Sequence, residues 1–198
     1  MLPVALAVSL LTVGCAGGVS APGTSDVGTQ HDNTTAAADA GIDRISEASL
    51  MPVGPLAIPA ADFWAQGEDT DTVAVVTAGG CEAGVNCPAF AVVTGPGAQA
   101  ADQAILDDGI GCPGGEGLTP VSATLAAAEP ATVAGGTGTV QVFDVECADA
   151  DGAGTITVQQ SQWSADSVNG AVTVVDRWSF AELGDRVAGA QWLDEASE

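Results

Sequence analysis

The chain has 198 residues, enough for one domain of ordinary size, and 46% of them are hydrophobic while only 4% are aromatic. It contains no lysine and no tyrosine, and three arginines (Arg44, Arg177, Arg186) face 26 carboxylates, giving a formal charge of −23. Phosphate backbones and anionic lipid head groups are bound through Lys and Arg, so this field repels both and excludes nucleic acid as a partner.

Residues Leu2 to Val13 are apolar and uncharged. The run is shorter than the roughly 20 residues needed to span a bilayer, but it has the length of a signal-peptide apolar region. In "LLTVGCAGG", Thr12-Val13-Gly14 before Cys15 resembles a bacterial lipobox, in which small residues precede a cysteine that is lipidated and becomes the mature N-terminus. Thr12 stands where Leu is usual, and no Lys or Arg precedes the apolar run, which points to a true start upstream of Met1. The expectation is a lipoprotein signal peptide at 1–15, with Cys15 carrying the acyl chains that hold the protein on the extracytoplasmic side of the cell membrane. Residues 16–41 are mainly Gly, Ala, Ser, Thr, Asp and Asn with one proline and no Phe, Trp or Tyr, a composition that cannot bury enough surface to fold and suits a disordered tether. The single histidine, His31, falls inside it.

A single disulfide-stapled domain is expected over 42–198. "IDRISEASL" (from Ile42) has helical spacing and ends at Met51-Pro52. "MPVGPLAIPAADFW" carries three prolines and reads as extended chain leading to a buried Trp64. "DTVAVVTAGG" and "CPAFAVVTG" form a hairpin, and "GAQAADQAILDDG" reads as a helix with Ala101 and Ile105 on one side and Gly109 past its end. Within the Pro/Gly/Ala-rich stretch 111–136, "LTPVSATL" reads as a strand. "GTVQVFDVEC", "GTITVQQSQW" and "NGAVTVVDRW" alternate and form a three-stranded antiparallel meander. Phe180 to Leu193 has helical spacing broken by two glycines. The predicted class is α+β, an antiparallel sheet with helices packed on one face.

Cys81, Cys87, Cys112 and Cys147 are an even set in an exported domain and imply two disulfides. Local spacing favours Cys81–Cys87 across the hairpin turn and Cys112–Cys147 between helix end and sheet, with the other pairings open. A zinc site lacks both a CxxC knuckle and a histidine. "ADADGAG" at 148–154 resembles the start of a calcium loop, but Cys147 and Val158 would fall at ligand positions, so a hairpin turn explains it better; weak calcium binding is the other reading. The only histidine lies in the tether, so Ser–His and Cys–His chemistry has no base, and no cofactor motif is present. Trp163 and Trp178, on neighbouring predicted strands, join Trp64 as the candidate lining of a ligand cleft. In a chain otherwise filled by Ala and Val, such residues are more often core anchors.

The order of pieces resembles the extracellular sensor domains of PknH-like membrane kinases and free-standing cell-envelope lipoproteins of high-GC Gram-positive bacteria. The matching stretches are "SLMPVGPLAIPAADFW", "AFAVVTGPGAQAADQAIL", Cys112 after that helix, and "NGAVTVVDRW", spanning about Leu50 to Phe180. Cys81 and Cys87 stand closer together than that pattern implies. The resemblance implies an α+β fold with a ligand-binding cleft and no catalysis. The sequence therefore predicts a non-enzymatic, membrane-anchored lipoprotein that binds a small ligand or an envelope protein. The rival readings are an exported hydrolase using paired carboxylates and a purely structural surface protein.

Overall fold

A computed structural model describes residues 48–81, 86–99, 103–152, 154–168 and 170–193. The chain divides into two units, Met1–Asn33 and Thr34–Glu198, and every described residue belongs to the second. The expected signal segment, Cys15, the tether with His31, and residues 42–47 of the first expected helix lie outside the described residues.

Among the described residues ten strands carry the fold: β1 (Leu50–Val53), β2 (Leu56–Pro59), β3 (Trp64–Asp69), β4 (Val73–Ala78), β5 (Ala89–Thr94), β6 (Thr119–Val133), β7 (Gly136–Ala148), β8 (Thr155–Ser167), β9 (Gly170–Asp176) and β10 (Gln191–Trp192). One short helix, α1 (Leu183–Ala188), and a 3-10 turn at Gly95–Gln99 are the only helical pieces among the described residues. The strands form a seven-stranded sheet, β3-β4-β5-β9-β8-β7-β6, and a three-stranded sheet, β1-β2-β10. All the pairings are antiparallel. The architecture is essentially all-β, which corrects the α+β class expected from the sequence.

The corrections have physical causes. Leu50, Met51 and Pro52 belong to β1 rather than to a helix end, and proline is tolerated there because β1 is a sheet edge. From Gln103 to Gly109 the chain is not helical, although its apolar residues are spaced for a helix. The N–H and C=O of Ile105, which a helix would use, are bonded instead to side chains reaching out of the sheet: Ile105 N–H donates to Gln162 Oε1 at 2.6 Å, and its carbonyl accepts from Gln160 Nε2 at 2.9 Å. After Phe180, only Leu183–Ala188 is helical; Gly189 ends it and Gln191–Trp192 pairs with β2.

The expected β4–β5 hairpin and the β7-β8-β9 meander both form. "LTPVSATL" belongs to a longer strand than its pattern showed, because β6 continues through "AAAEPATV" and is held by its ladder with β7. The β6–β7 turn is Ala134-Gly135, both at positive φ (47° and 72°), as a two-residue turn of matching twist requires. Its two N–H groups donate to Val187 O and Ala188 O, so the turn satisfies the C-terminal carbonyls of α1.

Side-chain alternation sorts the core onto two faces. On the front face Val76, Phe90, Val92, Val172 and Val174 pack under Leu56, Ile58, Leu183 and Val187 from the small sheet and α1. Trp64, Phe90 and Phe180 meet edge-to-face there, with centroids 4.9–6.1 Å apart. On the back face Ala89, Ala91, Val93 and Val175 pack under Ile110, and Phe143 and Val145 pack around Cys112–Cys147. A fully buried Val, Leu or Phe contributes roughly 1.5–3 kcal/mol, so this two-sided burial is the main source of stability.

Candidate functional site

β4 and β9 begin, and β5 and β8 end, at one end of the large sheet. The β3–β4 turn is tied there by Thr70, whose hydroxyl accepts Val73 N–H at 3.0 Å, and Thr94 N–H donates to Thr72 O at 2.9 Å. Ser167 Oγ donates to Gly170 O at 2.8 Å in the β8–β9 turn. Three cavities open at this end. The front one, about 420 Å³, lies between Gly54, Pro55 and Leu193 of the small sheet and Thr72, Ala74 and Ala171 of the large one. A back cavity of about 460 Å³ runs from Thr72 and Thr94 to Gln103–Asp107, and a third of about 480 Å³ is lined by Ala98, Thr139, Ser164 and Asp166. Thr72 and Thr94 line both of the first two cavities, and Ala171 lines both the first and the third. Hydroxyls, backbone groups and the carboxylates of Asp71, Asp107 and Asp166 supply the polarity. No arginine lines these cavities, so no cationic side chain offsets their carboxylates toward an anion.

The wall formed by Gln103–Asp107 is held by a buried polar cluster. Arg177, just past β9, is 1% exposed and donates to four acceptors: Gln160 Oε1 at 2.8 Å, Ile110 O at 2.5 Å, Ile105 O at 3.2 Å and Asp108 Oδ2 at 2.5 Å. Gln162 Nε2 adds a bond to Gln103 O at 3.3 Å, and Trp178 Nε1 one to Gly111 O at 3.0 Å. Burial pushes the Asp108 carboxyl up to about 6, outweighing the pull of Arg177 and of the Ile110 N–H. Burial likewise lowers Arg177 against the opposing effect of Asp108. These groups fasten an irregular segment that has no ladder of its own.

Both favoured disulfides, Cys81–Cys87 and Cys112–Cys147, are present. They fit an oxidising, extracytoplasmic environment. Asn86 Nδ2 donates to Cys112 O and Gly115 O, so the first bridge's loop rests on the second bridge. The tryptophans do not converge on one cleft: Trp64 and Trp163 join the front core, whereas Trp178 packs on the back face. None of the three lines the cavities at the strand ends. The "ADADGAG" stretch forms a turn in which Asp149 Oδ2 accepts Gly154 N–H at 3.0 Å. Among the described residues no group of three or more His, Cys, Asp or Glu is placed to hold a metal ion.

Among the described residues two carboxylates are buried, on opposite faces of the sheet. Asp108 meets Arg177 at the back, and Asp176 continues the Val172-Val174 face, where its oxygens accept Trp178 and Phe180 N–H groups at 2.8 Å. Burial raises Asp176 above the usual carboxylate range as well. The sequence reading missed Asp108, Arg177, Gln160 and Gln162. One signal was available: a lone arginine closing the apolar run "AVTVVDRW" in a chain without lysine has to find a partner. No protein-family model matches the chain, and no curated protein is similar to it in sequence.

Proposed function

We propose that the protein is an extracytoplasmic, lipid-anchored binding protein. Its domain takes a small neutral or cationic ligand at the strand-end cavities, without a chemical step. The observation that carries the reading is the grouping of three cavities around shared Thr72, Thr94 and Ala171, with polar linings and no arginine. Cavities of this size suit small molecules, and their few polar groups would set orientation. The separation of the two buried carboxylates onto opposite faces weighs against the paired-carboxylate hydrolase. The test is native mass spectrometry and thermal shift against neutral sugars, amines and small carboxylates. Binding of an amine or sugar is expected, and Ala171→Leu, which fills the shared wall, should weaken it about tenfold or more. Preference for the carboxylates, or unchanged binding by Ala171→Leu, would sink the proposal.

The anchor is tested separately, because the residues around Cys15 suit export and acylation. A single acyl chain holds a protein only marginally, so firm attachment calls for the multiply acylated form. Cys15→Ser is expected to leave the precursor uncleaved or to release the protein from the membrane fraction. Processed Cys15→Ser protein that stays fully membrane-bound would refute the anchor.

A further inference from the structure

Both edges of the large sheet are irregular, but they differ in how much unbroken ladder they keep. At β3 the ladder with β4 shifts between Gln66 and Asp69, and the outer strand carries Glu68 and Asp69, a combination of irregularity and charge that discourages another strand. At β6 the edge is 15 residues long; its ladder with β7 shifts between Pro120 and Ser122 and between Leu125 and Ala127, then runs unbroken from Ala127 to Val133, and every residue from Leu125 to Pro130 is exposed. Among the described residues no strand pairs with its outer side; its only charge is Glu129, and Pro120 and Pro130 are its two positions without an N–H.

We infer that the outer edge of β6 is a docking strand for an extended basic segment of another protein, added as an eighth strand. Charge decides between this occupant and a second copy of the chain. No arginine or lysine lies between residues 119 and 167, while Glu129, Asp144 and Glu146 share the front face of the β6–β7 ribbon. A second copy would bring another −23 into that field, whereas a cationic strand relieves it. The back face beside the edge is apolar, with Ala123 and Leu125 paired to Val145 and Phe143. An added strand therefore meets carboxylates and hydroxyls on one side and alkyl groups on the other, which selects alternating basic and apolar residues. Pro130 indicates which backbone groups are free. A proline is accommodated in a ladder where its nitrogen faces away from the neighbouring strand, so Ala128 and Thr132, two residues to either side, direct their N–H groups outward as well.

The probe is a capped nine-residue peptide alternating valine and lysine, measured by fluorescence anisotropy and amide hydrogen exchange on the full chain. Saturable binding is expected, weakening about tenfold between 50 and 300 mM salt, with exchange slowed in β6 and unchanged in β3. A peptide of the same composition with its lysines grouped at one end should bind about tenfold more weakly. Ala128→Pro, which removes an outward donor, should lower affinity about tenfold, with its melting temperature checked against the parent. A second variant that leaves the backbone intact, Asp144→Asn with Glu146→Gln, should lower it about three- to fivefold. Equal binding of the grouped-lysine peptide, protection outside β6, or β6 already covered by a second copy in sedimentation and exchange would overturn the inference.

Discussion

Asp108→Ala is expected to destabilise the domain by about 3–5 kcal/mol, seen as a fall in melting temperature of about 10–15 °C. The variant leaves Arg177 buried with a full charge and no counterion, and it orphans the Ile110 N–H that Asp108 Oδ1 accepts at 2.9 Å. Asp108→Asn keeps an oxygen acceptor and should lose only about 1–2 kcal/mol. The same carboxyl fixes the direction of the pH dependence. Its folded value of about 6 stands above the ordinary 3.8, so the folded state holds the proton more tightly between those values. Stability from this group is therefore full below about pH 4 and is lost as pH rises through 6, and Asp176 works in the same direction. Partial neutralisation of the −23 charge adds to the trend. The melting temperature should be higher at pH 5 than at pH 7.5, with a smaller difference in Asp108→Asn. A melting temperature that falls between pH 7.5 and 5 would refute this account.

The second large effect belongs to the buried bridge. Cys112 and Cys147 are both 0% exposed and lie 35 residues apart, so their bond closes a long loop and fastens the chain just past the irregular segment to β7. Replacing both by alanine is expected to lower stability by about 3–4 kcal/mol. Cys81–Cys87 spans 6 residues between strands already joined by Thr77↔Ala89 and by the Ala78 N–H to Pro88 O bond. Its removal should lower stability by no more than about 2 kcal/mol. Because Cys81 is exposed, mild reductant should open that bridge first and leave Cys112–Cys147 closed. The order is read by alkylation and mass spectrometry, and melting at low and moderate salt shows how far screening offsets the loss. Four free thiols in denatured, oxidised protein would remove the basis of this prediction.

Legibility followed the source of order. Val73–Ala78, Ala89–Thr94 and the β7-β8-β9 stretches alternate or run β-branched, and each pairs with a neighbour in sequence, so the residues themselves announce strands. Ala126-Ala127-Ala128-Glu129-Pro130 has little strand preference of its own; it is extended because β7 offers it a ladder, which no local pattern records. Gln103–Gly109 is the reverse case. Helical spacing was present, but side chains from Gln160, Gln162 and Arg177, more than 50 positions away, capture the backbone groups that a helix needs. Trp64 and Trp163 pack on the front face and Trp178 on the back because in an Ala/Val-rich interior large rings fill volume on both sides of the sheet. The strand-end cavities arise where separate turns meet, and nothing in any one turn marks them.

The position of β9 has a consequence for how the chain reaches its native state. β3, β4 and β5 join through successive hairpins, as do β6, β7, β8 and β9, but the two groups meet only where Phe90–Thr94 pairs with Val172–Asp176. Emerging from its N-terminus, the chain can assemble the first group early, yet β5 then keeps an apolar strand, Ala89 to Val93, without its second neighbour until β9 is available. Joining them closes the longest loop within the sheet, the kind of contact that slows folding. During that interval β5 is the segment most prone to pair with the wrong chain. Truncation before Gly170 should therefore leave a sticky half-sheet instead of a smaller soluble domain.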